Sequence, residues 1–241
     1  MGRVGENVIP VHALAAVIPA YQAERCVGDV VRRATRVVDH VLVIDDGSTD
    51  DTSRVAGACG ARVIRHEQNR GKGRALQTGF EDLFSRGFEH VVTLDADGQH
   101  LPEEIGALIP PLKAGADMVV GSRTHLFPKM HVVRRTSNRC SSRLISWVAG
   151  TDLGDIQSGF RIYTRRLLDA TGFPEPRFEA ESAVVVRAVR MGFQIAAVPV
   201  RLGFPDGRAT SHYRPIVDSL RIAAAVSRAR FEKTRWQTKR S

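Results

Sequence analysis

The chain has 241 residues, with 35 Lys and Arg against 26 Asp and Glu, and its formal net charge is +9. Its 43% hydrophobic and 25% charged residues are ordinary for a globular protein, which excludes wholesale disorder and a fibrous repeat. No apolar run approaches the roughly 20 residues that a membrane-spanning helix needs, and no signal-peptide pattern opens the sequence.

Positive charge is concentrated in two segments. Residues 122–150 contain six basic residues and no acidic one, and residues 201–241 contain ten basic residues against three acidic ones, which leaves −4 for the rest of the chain. Such segments indicate an anionic partner: phosphate groups, a membrane surface or nucleic acid. The three cysteines are widely spaced and fit neither a disulfide framework nor a metal motif, which favours a reducing cytoplasm.

Short apolar runs alternate with helical patterns along the chain. Strands are predicted at residues 14–18, 41–44, 62–66, 91–94, 117–121, 160–163 and 194–200. Helices are predicted at residues 27–38, 51–59, 73–86, 102–113, 134–148, 180–190 and 215–231. This alternation is typical of an α/β domain with a mostly parallel, Rossmann-like central sheet flanked by helices. We expect that domain to span residues 1–214, followed by a basic amphipathic C-terminal helix within residues 215–241.

Polar side chains follow several predicted strands, where an open α/β sheet binds its ligands. Asp95 and Asp97 lie one residue apart after an apolar strand, and Gln99 follows. Two carboxylates and an amide oxygen suit one Mg²⁺ or Mn²⁺ ion that keeps positions open for substrate phosphates. The alternative is a solvated turn. A second acidic strand end, Asp45 and Asp46, favours the metal site, because clustered carboxylates need a cation or a hydrogen-bond donor nearby.

A basic, glycine-containing loop opens the third predicted helix. Residues 69–73 read Asn-Arg-Gly-Lys-Gly, which is not the spacing of a P-loop. Its backbone N–H groups and Lys72 could nevertheless bind a phosphate. The alternative is a loop that only caps the helix. Of the histidines, His100 could support the neighbouring metal motif, whereas His66, His90, His125 and His131 lack ligand spacing and are treated as incidental.

Taken in order, these motifs resemble those of the family 2 glycosyltransferases of GT-A fold. The matching segments are residues 17–21, 43–50, 69–73, 95–100 and 121–123. Residues 157–161, Gln-Ser-Gly-Phe-Arg, are similar to the branch of dolichyl-phosphate mannosyltransferases and polyprenyl-phosphate glycosyltransferases. The resemblance implies a GT-A domain that transfers a hexose, with inversion, from a GDP- or UDP-sugar, with Mg²⁺ or Mn²⁺ as cofactor.

The resemblance also assigns residues to roles. Asp95, Asp97 and Gln99 would hold the metal, and Asp95, Asp97 and Arg161 would act in catalysis. Substrate contacts would come from Pro19, Tyr21, Glu24, Asp45, Asp46, Lys72, Arg123, Arg134, Arg135, Ser158, Gly159, Ser211 and Arg214. The chain departs from the family pattern in having Gln22 in place of Asn, an acid one position later at Glu24, and His212 in place of Lys.

The nature of the acceptor decides whether a general base is needed. A polyprenyl phosphate is already anionic near neutral pH, whereas a hydroxyl acceptor needs a base, for which Glu179 and Glu181 are the candidates. These two acids could instead only stabilise a helix N-terminus. The basic segments at residues 124–143 and 215–231 suit a peripheral contact with an anionic membrane, and the alternative is a solvated charged face.

We therefore expect transfer to a polyprenyl or dolichyl phosphate at the inner face of the cytoplasmic membrane. A family 2 enzyme that acts on a soluble or polymer-bound hydroxyl is the alternative. A nucleic-acid-binding module is disfavoured, because only 6% of the residues are aromatic and the basic segments lack interleaved aromatics.

Overall fold

The computed structural model describes residues 14–122, 158–203 and 215–231. Within these ranges one sheet is formed by strands β1 (Leu14–Ala20), β2 (His40–Asp45), β3 (Arg62–Arg65), β4 (His90–Thr93), β5 (Met118–Ser122), β6 (Arg161–Thr164) and β7 (Ile195–Pro199). The helices are α1 (Val27–Ala34), α2 (Thr52–Ala58), α3 (Lys72–Ser85), α4 (Ile105–Lys113), α5 (Arg165–Thr171), α6 (Ala180–Arg190) and α7 (Pro215–Phe231), and a short 3₁₀ turn, Pro102–Glu104, precedes α4.

The strand order is β3-β2-β1-β4-β6-β5-β7, and the sheet is parallel except for β6. Strand β6 runs antiparallel to both β4 and β5. The chain builds outwards from β1 through β2 to β3, then returns to the other side of β1 to form β4. Two neighbouring crossovers therefore leave the carboxyl ends of β1 and β4 in opposite directions, which opens a ligand crevice there. The predicted α/β fold with a mostly parallel sheet is confirmed.

Helices cover both faces of the sheet. One apolar cluster joins the sheet to α3, α5, α6 and α7, and the other joins it to α1, α2 and α4. Strand β1 is buried on both faces, so Val17 lies in the first cluster and Ile18 in the second. Helix α3 packs closely on β1 because Gly79 has no side chain: a Cβ there would lie 2.3 Å from Cγ2 of Val17. This packing fixes the start of α3 beside the crevice.

The C-terminal helix has the predicted bounds and is part of the packed core. Ile222, Ala225, Val226 and Ala229 are buried in the same cluster as helix α6. The division of the chain at residue 214 stays a prediction. None of the described helices has the length and hydropathy needed to cross a bilayer.

One helix was not predicted, and one predicted helix is not described. Helix α5 is only seven residues long, too short for a clear apolar period, and begins where the Thr164 hydroxyl accepts a hydrogen bond from the Leu167 N–H at 3.2 Å. The helix expected at residues 134–148 lies outside the described residues.

Candidate active site

An open cleft lies at the carboxyl ends of β1, β2 and β4. It is lined by residues 19–23, Asp46, Asn69, Gly71, Lys72, Ala75, residues 95–97, Arg177 and Phe178. Three of the predicted polar strand ends therefore meet in one place, as expected from the sheet topology. Of the fourth, residues 121–123, Ser122 ends β5 and is buried, and Arg123 lies outside the described residues.

The paired carboxylates after β4 line this cleft. Burial, followed by the neighbouring charge of Asp95, raises the pKa of Asp97. The Gln99 N–H donates to Oδ1 of Asp97 at 2.9 Å, and the Asp95 N–H donates to Nδ1 of His100 at 3.1 Å. His100 is buried and stacks on Phe160, with 5.5 Å between ring centroids. It thus supports the turn that carries both aspartates.

Asp95 and Asp97 could bind a divalent cation whose remaining coordination positions are filled by oxygens of a bound substrate. Two adjacent carboxylates, one of them with a raised pKa, form a site that a cation would stabilise. Within residues 14–122, 158–203 and 215–231 no group of three or more His, Cys, Asp or Glu side chains is arranged to hold a metal. The chain would therefore supply Asp95 and Asp97, with Gln99 as the predicted third ligand, and ligand oxygens would supply the rest.

Lys72 joins two acids from distant parts of the chain. Its Nζ lies 2.7 Å from Oδ1 of Asp95 and 2.9 Å from Oε2 of Glu181, and we call these three residues the lysine triplet. Burial alone would lower the pKa of Lys72, but the two carboxylates outweigh it and raise that pKa. Gly159 leaves room for the triplet, because a Cβ there would lie 2.9 Å from Nζ and 3.0 Å from Oδ2 of Asp95.

Asp46 holds the loop that leads into α3. Its Oδ1 accepts from the Arg70 N–H at 2.9 Å, and its Oδ2 accepts from the Gly71 N–H at 2.7 Å. Nδ1 of His66 lies 2.8 Å from Oδ1 of Asp46, and Nε2 of His66 lies 3.0 Å from the Thr78 hydroxyl. The interpretation of His66 as incidental is therefore corrected: this buried ring connects Asp46 to helix α3.

Asp45 and Glu24, which are both expected to contact the substrate, do not line the cleft. Asp45 is fully buried, and its carboxylate accepts from the Ser48 N–H at 2.9 Å and from the Ser53 hydroxyl. Successive residues at a strand end point to opposite sides, so only Asp46 of the acidic pair reaches the cleft. Glu24 instead accepts from the Asp51 N–H at 3.1 Å.

Gln22 connects the segments that follow β1 and β2. Its Oε1 accepts from the N–H groups of Thr49 and Asp50, at 3.0 and 3.2 Å, and its Nε2 donates to the Thr49 hydroxyl at 2.9 Å. Its own N–H donates to the Ser48 hydroxyl, and its φ of 52° is in the left-handed region that non-glycine residues seldom adopt. The departure from the family's Asn thus serves to brace this wall of the cleft.

Arg161 is not placed to contact a substrate. Its side chain is 0% exposed, and its guanidinium donates to the carbonyls of Ser158 at 2.8 Å and Glu181 at 2.5 Å. A catalytic contact by Arg161 is therefore not supported by this geometry. The side chain instead ties the turn at residues 158–159 to the start of helix α6.

The segment before α6 contributes residues that the sequence did not indicate. Arg177 is exposed at the cleft, and within the described part of the chain it has no ion-pair partner. The Phe178 ring lies below Lys72, with Nζ 5.8 Å from its centroid. Glu175 anchors the segment through two hydrogen bonds from Arg187, at 2.6 and 2.8 Å. No sequence motif marks these residues, because their role depends on contact with helix α3.

Both candidate bases are buried at the start of α6. Within the described residues, Oε2 of Glu179 and Oε1 of Glu181 have no hydrogen-bond partner. The predicted contacts Ser158 and Gly159 are not among the residues that line the cleft. The remaining predicted substrate contacts lie outside the described residues, namely Arg123, Arg134, Arg135, Ser211 and Arg214.

Comparison with known proteins identifies the family. A model described as Glycosyl transferase family 2 matches residues 15–172, most of the chain. The chain belongs to the family 2 glycosyltransferases. It is 30% identical over 217 residues to the polyprenol monophosphomannose synthase of Mycolicibacterium smegmatis, covering 83% of this chain and 80% of the relative.

Two further relatives support the family and the fold. The chain is 29% identical over 209 residues to the UDP-N-acetylglucosamine–dolichyl-phosphate N-acetylglucosaminyltransferase of Methanococcus voltae, covering 77% of this chain and 83% of the relative. The solved glucosyl-3-phosphoglycerate synthase of Mycobacterium tuberculosis, in complex with Mg²⁺ and UDP, superposes with a TM-score of 0.68 and 25% identity. That match covers 90% of this chain and 78% of the other. The predicted GT-A fold and glycosyltransferase activity are confirmed.

Proposed function

We propose that this glycosyltransferase transfers a hexose, with inversion, from a GDP- or UDP-sugar to a polyprenyl or dolichyl phosphate at the inner face of the membrane. The observation that carries the proposal is the convergence of Asp95, Asp97 and Lys72 in one cleft at the switch point of the sheet. An acidic pair that can bind a cation, with a lysine ammonium beside it, suits the charge of a diphosphate donor. The names of the relatives from M. smegmatis and M. voltae support the class of acceptor.

The proposal includes a divalent cation held by Asp95, Asp97 and Gln99. The solved relative in complex with Mg²⁺ and UDP supports it, as does the raised pKa of Asp97. When bound, Mg²⁺ or Mn²⁺ would neutralise charge that develops on the nucleoside diphosphate as it leaves.

The residues of the chain itself position and polarise the donor. Tyr21 and the backbone braced by Gln22 line the part of the cleft where we infer that the nucleoside binds, and Asp46 shapes the loop that leads into α3. Lys72 lies beside Asp95 in the same cleft, where its ammonium would face the diphosphate. An ammonium held in the cleft stabilises the negative charge that develops on the departing phosphate.

The surroundings of Glu181 favour a phosphate acceptor. One oxygen of this carboxylate is already engaged by Lys72, so Glu181 serves as a counter-ion rather than as an unoccupied base. An anionic phosphate oxygen attacks C1 of the sugar without a base. The hydroxyl acceptor remains the second candidate on one observation, the buried and unpartnered Oε2 of Glu179.

The exposed face of helix α7 supports docking on an anionic membrane. Val217, Leu220 and Phe231 are 43, 67 and 82% exposed, and Arg221 and Arg228 lie on the same helical face. Apolar side chains can enter the interface while each arginine near an anionic leaflet adds about 1 kcal/mol. The opposite face of the helix is buried in the core, so this exposed face points away from the rest of the protein.

The test is transfer from radiolabelled nucleotide sugars to vesicles that contain a polyprenyl phosphate, followed by organic extraction. We expect label in the organic phase from a GDP- or UDP-hexose, and loss of transfer with EDTA or in Asp97→Asn. Asp169→Asn, which removes an exposed carboxylate on α5, is the matched control and should retain activity. Label found only on an added hydroxyl acceptor such as 3-phosphoglycerate would overturn the proposed lipid acceptor.

A further inference from the structure

The lysine triplet places an internal cation where the proposed metal would bind. Nζ of Lys72 lies 2.7 Å from Asp95, so this carboxylate is neutralised before any ligand arrives. A divalent cation on Asp95 would have Nζ as a near neighbour, and two like charges at such a distance repel strongly in a partly buried site. Lys72 and the cation must therefore compete for Asp95.

Glu181 offers Lys72 a second binding partner. Its Oε2 lies 2.9 Å from Nζ, while its Oε1 is buried and has no hydrogen-bond partner within the described residues. The carboxylate can thus accept a second hydrogen bond from the ammonium without any change of its own position. Arg161 fixes this part of helix α6 by donating to the Glu181 carbonyl.

The surroundings limit Nζ to a short movement. The backbone of Gly159 lies close to Nζ on one side, since a Cβ built on it would be only 2.9 Å away. The Phe178 ring lies 5.8 Å away on another side and attracts the ammonium. Departure from Asp95 therefore leads to Glu181 and to the open cleft, where the donor diphosphate would bind.

We propose that Lys72 is an exchangeable internal counter-ion, which neutralises Asp95 in the empty site and is held by Glu181 when a divalent cation occupies Asp95. This inference rests on the proposed metal-dependent function. Glu181 is then a positioning residue that acts through Lys72. The coupling between the two events is reciprocal: a bound cation weakens the contact of Lys72 with Asp95 by the same free energy by which that contact weakens cation binding. A substitution that removes Lys72 from Asp95 must therefore raise the affinity for the cation.

The test measures Mn²⁺ binding to the full chain by electron paramagnetic resonance, first without nucleotide and then with UDP or GDP. Without nucleotide, Lys72→Met should bind Mn²⁺ about tenfold more tightly than the wild type, because the competing charge is gone. Lys72→Arg, which keeps the charge, should stay close to the wild type. Lys113→Met, which removes an exposed lysine at the end of α4, is the matched control and should not change.

Comparing Glu181→Gln with and without Lys72 tells whether Glu181 affects Mn²⁺ binding by holding Lys72 or only through its own negative charge. In the wild-type background it should weaken Mn²⁺ binding about threefold, and in the Lys72→Met background it should have almost no effect, because contacting residues couple in a double-mutant cycle. Equal effects of Glu181→Gln in both backgrounds would overturn the inference. So would unchanged or weaker Mn²⁺ binding by Lys72→Met, with circular dichroism and Lys72→Gln excluding misfolding as the cause.

The design distinguishes failure of this inference from failure of the proposed function. If the wild type binds Mn²⁺ with nucleotide and Asp97→Asn does not, the metal site stands, and an unchanged Lys72→Met refutes only the exchange. If the wild type binds no Mn²⁺ with or without nucleotide, the proposed metal site is wrong and the exchange is refuted with it.

Discussion

Replacement of Gly73 by alanine tests how the cleft wall before α6 is held in place. Gly73 lies in the first turn of α3, directly against the segment that carries Arg177. A Cβ at this position would lie 2.2 Å from the carbonyl oxygen of Glu175 and 2.8 Å from that of Arg177. Both obstacles are backbone atoms, and the segment is anchored by the Glu175–Arg187 pair, so no flexible side chain can absorb the clash.

The expected cost follows from this geometry. Overpacking of this kind costs about 1–3 kcal/mol, which lowers Tm by roughly 2–12 °C in a chain of this size. The segment must also move away from α3, taking Arg177 and Phe178 with it, so the KM for the donor should rise. Gly106→Ala in helix α4 is the matched control, because its Cβ would meet nothing within 4 Å.

The assay is thermal unfolding combined with steady-state donor kinetics on the same preparations. Gly106→Ala should be neutral or stabilising by up to about 1 kcal/mol, as expected for alanine in a helix. If Gly73→Ala unfolds at the wild-type temperature and keeps the wild-type KM for the donor, the close packing of this segment on α3 is not what shapes the cleft.

Three further changes test the site and the membrane face. Asp97→Asn should lower turnover about a hundredfold or more. Because the pKa of Asp97 is raised in the folded state, ionisation of this carboxyl lowers the free energy of unfolding at neutral pH. Asp97→Asn should therefore stabilise the metal-free protein at pH 7. In urea unfolding, this gain should fade as the pH falls through the folded-state pKa. Arg177→Ala should raise the KM for the donor or for the lipid phosphate about tenfold, with little change in Tm, because an exposed guanidinium can bind phosphate. If both KM values are unchanged, Arg177 does not bind either substrate. Leu220→Glu should reduce recovery on anionic vesicles while Lys113→Glu, on α4, does not; equal recovery of both would refute docking through α7.

The acidic residues at the strand ends could be predicted from the sequence as a group, but not residue by residue. An apolar strand followed by Asp45-Asp46 or by Asp95-Ala-Asp97 is visible in one dimension, and the parallel order of the strands predicts that these ends converge. Which of two adjacent acids faces the cleft depends on the last residue of the strand, where a shift of one position reverses the side. The motif alone predicts that both Asp45 and Asp46 lie at the nucleotide, whereas the structure buries Asp45 in its own turn.

The roles of single charged residues were harder to predict. Arg161 follows a motif that the family resemblance associates with the sugar, yet the side chain is enclosed by the carbonyls of residues 158 and 181. His66 has no neighbour in sequence that suggests a function, because its partners Asp46 and Thr78 are 20 and 12 positions away. Contacts over such separations exist only after the chain has folded.

The sequence by itself determined the succession of strands and helices apart from the short helix α5, the family, and the acidic and basic segments, because apolar periodicity and short motifs are local properties. Only the tertiary structure decided that Lys72 lies between Asp95 and Glu181, which are 23 and 109 positions away in the chain. It also decided that Arg177 lies at the cleft, because the segment that carries Arg177 packs closely against Gly71 and Gly73 at the start of helix α3. Both arrangements depend on how segments that are distant in sequence pack together. The role of a charged side chain in a cleft depends on the charges and hydrogen-bond partners that this packing brings next to it.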